Sequence, residues 1–175
     1  MTRMLEEEHV MARRPENAAF PAHAHNHGPC ETSLLDRASR IFEAKGMKLT
    51  ELRRRVLEEI AASHEALGAY EILDRLSSKG PRLAPISVYR AIDALHEAGL
   101  VHRLESRNAF FACHGSHAPD RDQVILACEA CGRVAEIAGE EVIAAIRAVV
   151  ERARFDARRL VTEVSGTCAD CQTGH

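Results

Sequence analysis

The stretch PISVYRAIDALHEAGLVHRLESRNAFFAC, Pro85–Cys113, decides the fold. Val88, Ala91, Ile92 and Leu95 recur at spacings of three and four, which predicts a helix from about Pro85 to Ala98 with one apolar face. Proline suits the first turn of a helix, and Gly99 suits the residue just past its end. Leu100–Leu104 and Ala109–Cys113 read as two short strands around a turn at Glu105-Ser106-Arg107-Asn108. A helix followed by a hairpin is the closing half of a winged helix-turn-helix.

Working upstream, Leu34, Leu35, Ala38, Ile41 and Phe42 form a helical stripe that Gly46 closes. Thr50 is the N-cap expected for a second helix carrying Leu52, Val56, Leu57 and Ile60. A third helix is expected from about Ala69 to Ser78, with Ile72, Leu73 and Leu76 inward and Gly80-Pro81 as its stop. Residues 1–30 lack apolar periodicity and read as a disordered tail. His23, His25, His27 and Cys30 fall in that tail. Histidine-rich tracts can bind metal, but ordering a tail costs entropy, so an accessory or adventitious role is expected there.

Downstream, HGSHAPDRDQ (residues 114–123) is rich in turn formers and reads as a hinge. Strands are expected at Val124–Ala127, Arg133–Ile137 and Arg159–Val164, with an amphipathic helix over Gly139–Arg152. The fold class is therefore α+β. It comprises a winged-helix domain over 31–113 and a small α/β domain over 124–175. A unit as small as the second needs a metal or a partner subunit for stability.

Hydrophobic residues make up 46% of the 175, enough for a real core. No window reaches the roughly 18 uninterrupted apolar residues of a membrane span. The start is acidic and has no apolar run of the secretory kind, so a cytoplasmic protein is expected. Net charge is −3, but unevenly spread. Asp36–Cys113 carries 13 Lys/Arg against 11 Asp/Glu, and the rest of the chain from His114 carries 7 against 10. The order suits a bipartite chain with the more basic half first. No Ser/His/Asp nucleophile set, Gly-rich phosphate loop or H-E-x-x-H is present, so neither an enzyme nor a small-molecule substrate is expected.

Cys128-Glu-Ala-Cys131 and Cys168-Ala-Asp-Cys171 are two C-x-x-C pairs. In a reducing compartment this pattern favours metal over disulfide chemistry. Each pair can place two thiolates on one Zn²⁺, and two pairs complete a tetrahedral site with no open position, which is a structural metal. The competing reading is a redox C-x-x-C. That motif would follow a strand and begin a helix. Here Gly132-Arg133 leads into another strand instead.

In the Pro85–Leu95 helix, Ser87, Tyr89, Arg90, Asp93 and His96 avoid the apolar stripe. A recognition helix reads base edges chiefly from its first turns. Arg90 lies there, and arginine bonds guanine O6 and N7 bidentately. Ser87 and Tyr89 suit phosphate contacts. Packing of Tyr89 and surface pairing of Arg90 with Asp93 or Glu97 remain open alternatives.

Ser87-Val-Tyr-Arg90, Glu97-Ala-Gly-Leu-Val101, Cys113 and the two C-x-x-C pairs together resemble the ferric uptake regulator family, and within it the zinc uptake regulator branch. The resemblance spans about Leu34 to Cys171. It implies a zinc-responsive repressor that binds inverted-repeat DNA operators of zinc-uptake genes as a metal-loaded homodimer. It implies Tyr70 and Arg90 as base contacts and the four cysteines as a structural zinc site. It further implies a regulatory zinc site with His102, Cys113 and Glu136. For the fourth ligand His117 is the preferred candidate, with His114, Asp120 and Asp122 as alternatives. An iron, manganese or peroxide sensor of the same family is the alternative function. The iron branch's histidine-rich run before the first C-x-x-C is absent here, where the chain reads DRDQVILA.

Overall fold

The computed structural model describes residues 19–20, 28–62, 64–113 and 123–173, side chains of 28–31 excepted. The N-terminal half begins with α1 (Gly28–Ala44), α2 (Glu51–Ala61), α3 (Ala69–Ser78) and α4 (Pro85–Glu97). Leu34, Ala38 and Phe42 form the buried stripe of α1 at four-residue spacing. Thr50 caps α2, its side chain accepting from the Arg53 N–H. Gly99 takes φ +71 just beyond α4, a left-handed conformation that only glycine adopts without strain. Phe42, Leu57, Ile60, Ile72, Ile92 and Leu95 are almost wholly buried and bring all four helices into one core.

Strands β2 (Val101–Leu104) and β3 (Ala109–Ala112) form the expected hairpin, paired from Val101↔Ala112 to Leu104↔Ala109. A 3-10 turn over Glu105–Arg107 and Asn108 at φ 48 reverse the chain between them. A third strand, β1 (Leu67–Gly68), lines the other side of β3. Two residues carry no alternation, so β1 is visible only once the loop after α2 lies against the hairpin. This is a winged helix-turn-helix.

The C-terminal half holds β4 (Gln123–Cys128), β5 (Val134–Ala138), α5 (Glu140–Arg152), β6 (Glu163–Gly166) and a short α6 (Ala169–Gln172). Its sheet order is β5-β4-β6, with β4/β5 antiparallel and β4/β6 parallel. The third strand lies four residues later than the Arg159 start read from the sequence. The parallel ladder starts where Ile125 faces Glu163, and the chain before Thr162 passes outside the reach of β4. Leu160 and Val161, apolar enough to read as strand, stay 39% and 40% exposed.

The two halves are joined directly. Glu65 and Arg133 form an antiparallel bridge, the Val134 N–H donates to His64 O at 2.8 Å, and Leu104 and Phe111 pack against Ala127 and Val134. The expected hinge lies, but for Gln123, outside the described residues, as does most of the expected tail. Among the described residues no helix is long and apolar enough to cross a membrane.

Candidate metal centres and nucleic-acid interface

Cys128 ends β4, and a tight turn returns the chain to β5. The Gly132 N–H donates to Cys128 O at 3.1 Å and the Cys128 N–H to Arg133 O at 2.9 Å. Gly132 closes this knuckle at φ +74, where a side chain would be strained. Cys131 is thereby folded back beside Cys128. The parallel register, which sets Cys128 opposite Gly166, delivers Cys168 and Cys171 on the first turn of α6. All four sulfurs lie within 4.8 Å of one another, and Cys131 Sγ is 3.8 Å from Cys168 Sγ. A disulfide needs about 2.05 Å. A tetrahedral zinc with Zn–S of about 2.3 Å spaces its sulfurs by about 3.8 Å, so the donor set fits a closed zinc site.

The electrostatics suit a cation. Burial works to raise the Cys128 thiol pKa, but N–H donors from Cys168, Cys131 and Ala130 outweigh it and bring it down to about 6. Cys171 is pushed up to about 12, first by its hydrogen bond with Cys168, as expected for the last proton in a cluster of thiols. Arg133, only 4% exposed, donates to Cys131 Sγ at 3.2 Å, Cys168 Sγ at 3.1 Å and Asp170 Oδ2 at 2.8 Å. Four thiolates with one dication remain net negative, and this guanidinium offsets part of that charge. The sequence reading took Arg133 only as the start of a strand. The available signal was a charged residue immediately after the knuckle glycine.

The second cluster is assembled from both halves. His102 comes from β2, Cys113 follows β3, and Glu136 comes from β5, with ligand atoms again within 4.8 Å of one another. His102 packs its ring against Phe111 at 5.6 Å, and Arg37 of α1 donates to the Cys113 carbonyl. His102 Nε2 and Glu136 Oε1 are 2.9 Å apart, an ion-pair distance. Both atoms are nevertheless buried without a hydrogen-bond partner of acceptable geometry. The contact brings opposite charges together, and both atoms belong to the same cluster of donor atoms. Two buried donor atoms placed in this way, beside a thiol, fit a Zn²⁺ with mixed His/Cys/Glu ligation. Burial works to lower the His102 pKa, but Cys113 and Glu136 outweigh it and raise it to about 9. A cation is thus favoured at this point even as a proton. His117 lies outside the described residues, as do His114, Asp120 and Asp122.

Of the residues expected to contact DNA, Tyr70 and Tyr89 are brought together. Tyr70 on α3 is 68% exposed, and its ring meets that of Tyr89 on α4 edge-on at 6.2 Å. Arg90 is exposed beside Tyr89 and makes no ion pair with Asp93 or Glu97 among the described residues. Ser87 is half-buried, its N–H donating to Ala84 O at 2.9 Å.

The chain as a whole is similar to known proteins. The profile of the ferric uptake regulator family matches residues 44–164. The zinc uptake regulation protein of Escherichia coli (strain K12) is 35% identical over 138 residues, covering 79% of this chain and 81% of that one. A zinc uptake regulator complexed with zinc and DNA superposes with a TM-score of 0.77 at 33% identity, over 82% of this chain and 96% of that one. The holo form of XcZur gives 0.72 at 33% identity, over 82% of this chain and 99% of that one. The apo form of XcZur, at the same identity and coverage, gives 0.50. At equal identity and coverage, this chain therefore superposes better on the holo form than on the apo form. On the matching profile, the E. coli relative and the shared architecture, this chain belongs to the ferric uptake regulator family, on its zinc uptake regulator branch.

Proposed function

We propose that this chain is a zinc-responsive transcriptional repressor that binds inverted-repeat operators of zinc-uptake genes as a metal-loaded homodimer. The observation that carries this reading is the cluster of His102, Cys113 and Glu136, whose donor atoms converge from the wing and from the second sheet. Cys128, Cys131, Cys168 and Cys171 would hold a structural zinc. His102, Cys113 and Glu136 would hold a regulatory one, with His117 as the fourth donor. Zinc supplies a dication that satisfies facing lone pairs and thiolates at both places.

The chain's own residues do the rest. His102 and Cys113 sit at the root of the wing, so whatever holds them against Glu136 fixes the winged-helix domain (31–113) on the metal-binding domain (124–175). The expected hinge of 114–123 would then be confined to 114–122, because Gln123 opens β4, and the expected tail of 1–30 would stop short of Gly28, where α1 begins. Only one relative orientation lets two reading heads meet two half-sites at fixed separation. Tyr70 and Arg90 would then read bases, and Ser87 and Tyr89 would contact phosphates. Val142, Val149, Phe155 and Val164, between 49% and 69% exposed on α5, β6 and their connection, supply an apolar face for the second subunit. A cytoplasmic location accords with this role.

The test is operator binding with free zinc buffered across the sub-nanomolar range and Fe²⁺ and Mn²⁺ as controls. Tight binding with zinc alone supports the proposal. Binding with Fe²⁺ or Mn²⁺ instead moves the metal assignment within the family, and metal-independent binding sinks the sensing model.

A further inference from the structure

Glu163 opens β6, and its carboxylate crosses to the wing. One oxygen accepts the Glu105 N–H at 2.6 Å and the other the Ser106 N–H at 3.0 Å. These amides begin the 3-10 turn, where backbone donors have no partner within the turn. Arg159 pairs with the Glu105 carboxylate, Arg103 reaches the same group at 3.3 Å, and Arg107 donates to Cys128 O at 3.3 Å. Burial alone would raise the Glu163 pKa. Hydrogen bonds from Ser106 and Glu105, with the charge of Arg159, outweigh it and bring the pKa below the usual range, so the carboxylate stays ionised. Every group in this clamp is a protein group.

The hairpin is therefore tied to the second sheet at both ends. His102 lies three residues before Glu105, about 10 Å along the strand. At the root, His102 and Cys113 face Glu136; at the tip, the turn is held by Glu163. Two attachments on one short, rigid element are not independent. Closing one confines the other near its bonding geometry and raises its effective concentration. We propose that Glu163 is a positioning residue for the His102–Cys113–Glu136 metal site. By holding the wing turn it presets the wing root against β5, and so sets the zinc concentration at which the protein responds. The proposal rests on the zinc-responsive reading above and adds a residue that touches neither metal nor DNA.

The experiment uses the full-length dimer with Glu163→Ala, which removes both acceptors, and Glu163→Gln, which keeps one. Zinc competition against a chelator without DNA should show regulatory affinity weakened about tenfold in the alanine variant, the size of one charge-assisted hydrogen bond, and less in the glutamine variant. Structural zinc content should stay as in the wild type. The free zinc at half-maximal operator binding should rise by the same factor, with operator affinity at saturating zinc unchanged. A fold defect would not give that split. Amide hydrogen exchange on protein stripped of regulatory zinc should show Glu105 and Ser106 protected in the wild type and faster in the alanine variant. Unchanged zinc affinity, or unprotected amides in the wild type, overturns the proposal. So does weaker operator binding at saturating zinc with zinc affinity intact, which would make Glu163 a DNA-side residue. If the wild type shows no zinc-dependent operator binding, the functional reading alone fails. Loss of amide protection together with weaker zinc binding would still support the clamp.

Discussion

The two ligand clusters use the same donor chemistry in opposite ways. The four cysteines lie within one small sheet and its flanking turns, in two pairs whose members are three residues apart. The His102–Cys113–Glu136 cluster draws its members from one strand of the wing hairpin, the residue just after its other strand, and one strand of the second sheet. The first closes on itself, with four cysteine sulfurs and a buried guanidinium. The second has three donors, two of whose atoms are buried with no well-aligned hydrogen bond among the described residues. A local cluster can stabilise only the unit that contains it. A cluster that spans two units can report on their arrangement, and through it on DNA. The two clusters thus differ in topology as much as in ligand type.

The comparison can be broken most severely at the local cluster. Cys168→Ser should remove the structural zinc and with it the folded β4–β6 ladder and the dimer. Sedimentation, circular dichroism and zinc content check this, and a folded dimer lacking zinc would refute the structural role. Next comes Cys113→Ser at the spanning cluster. Fold, dimer and structural zinc should survive, while the zinc-dependent gain in operator affinity, about 5- to 150-fold for ordinary allosteric coupling, disappears. If this variant still represses at low zinc, the sensing assignment is wrong. Arg133→Met sharpens the contrast further. Losing the guanidinium beside Cys131 and Cys168 should weaken structural zinc retention about 10- to 100-fold in a chelator challenge, with the regulatory site unaffected. The smallest effect is expected at Arg90→Ala. It should cost about 1 kcal/mol of operator binding, the low end for a base contact, and relax base preference at one position, leaving zinc affinity at both clusters unchanged.

Periodic and punctuated features of the chain were legible without any structure. The stripes of α1 to α4, the Thr50 cap, the stops at Gly46 and Gly99 and the reversal at Asn108 all follow from side-chain geometry within a few residues. The two C-x-x-C pairs belong with them, since three-residue spacing brings two thiolates together whatever lies between the pairs. The family resemblance pointed to His102, Cys113 and Glu136, but nothing in their spacing required them to meet. Contacts across the fold were a different matter. The sequence reading put the last strand at Arg159–Val164, because Leu160 and Val161 have strand character. The ladder instead begins at Glu163, because its register belongs to β4. The two-residue β1, the Glu65–Arg133 bridge and the buried place of Arg133 carry no periodic signal. Each exists because a distant segment offers a matching backbone or charge.

The sequence by itself therefore determined the winged helix and the two cysteine knuckles, and through the family resemblance it offered candidate metal and DNA ligands. The physical reason is that propensity, capping and ligand spacing act over a handful of neighbouring residues. Only the tertiary structure decided which of those residues face one another: His102 with Glu136, Arg133 with the thiols, Glu163 with the wing turn. Those meetings depend on strand register and the packing of one half on the other, and a one-residue slip in register would turn each of these side chains to the opposite face.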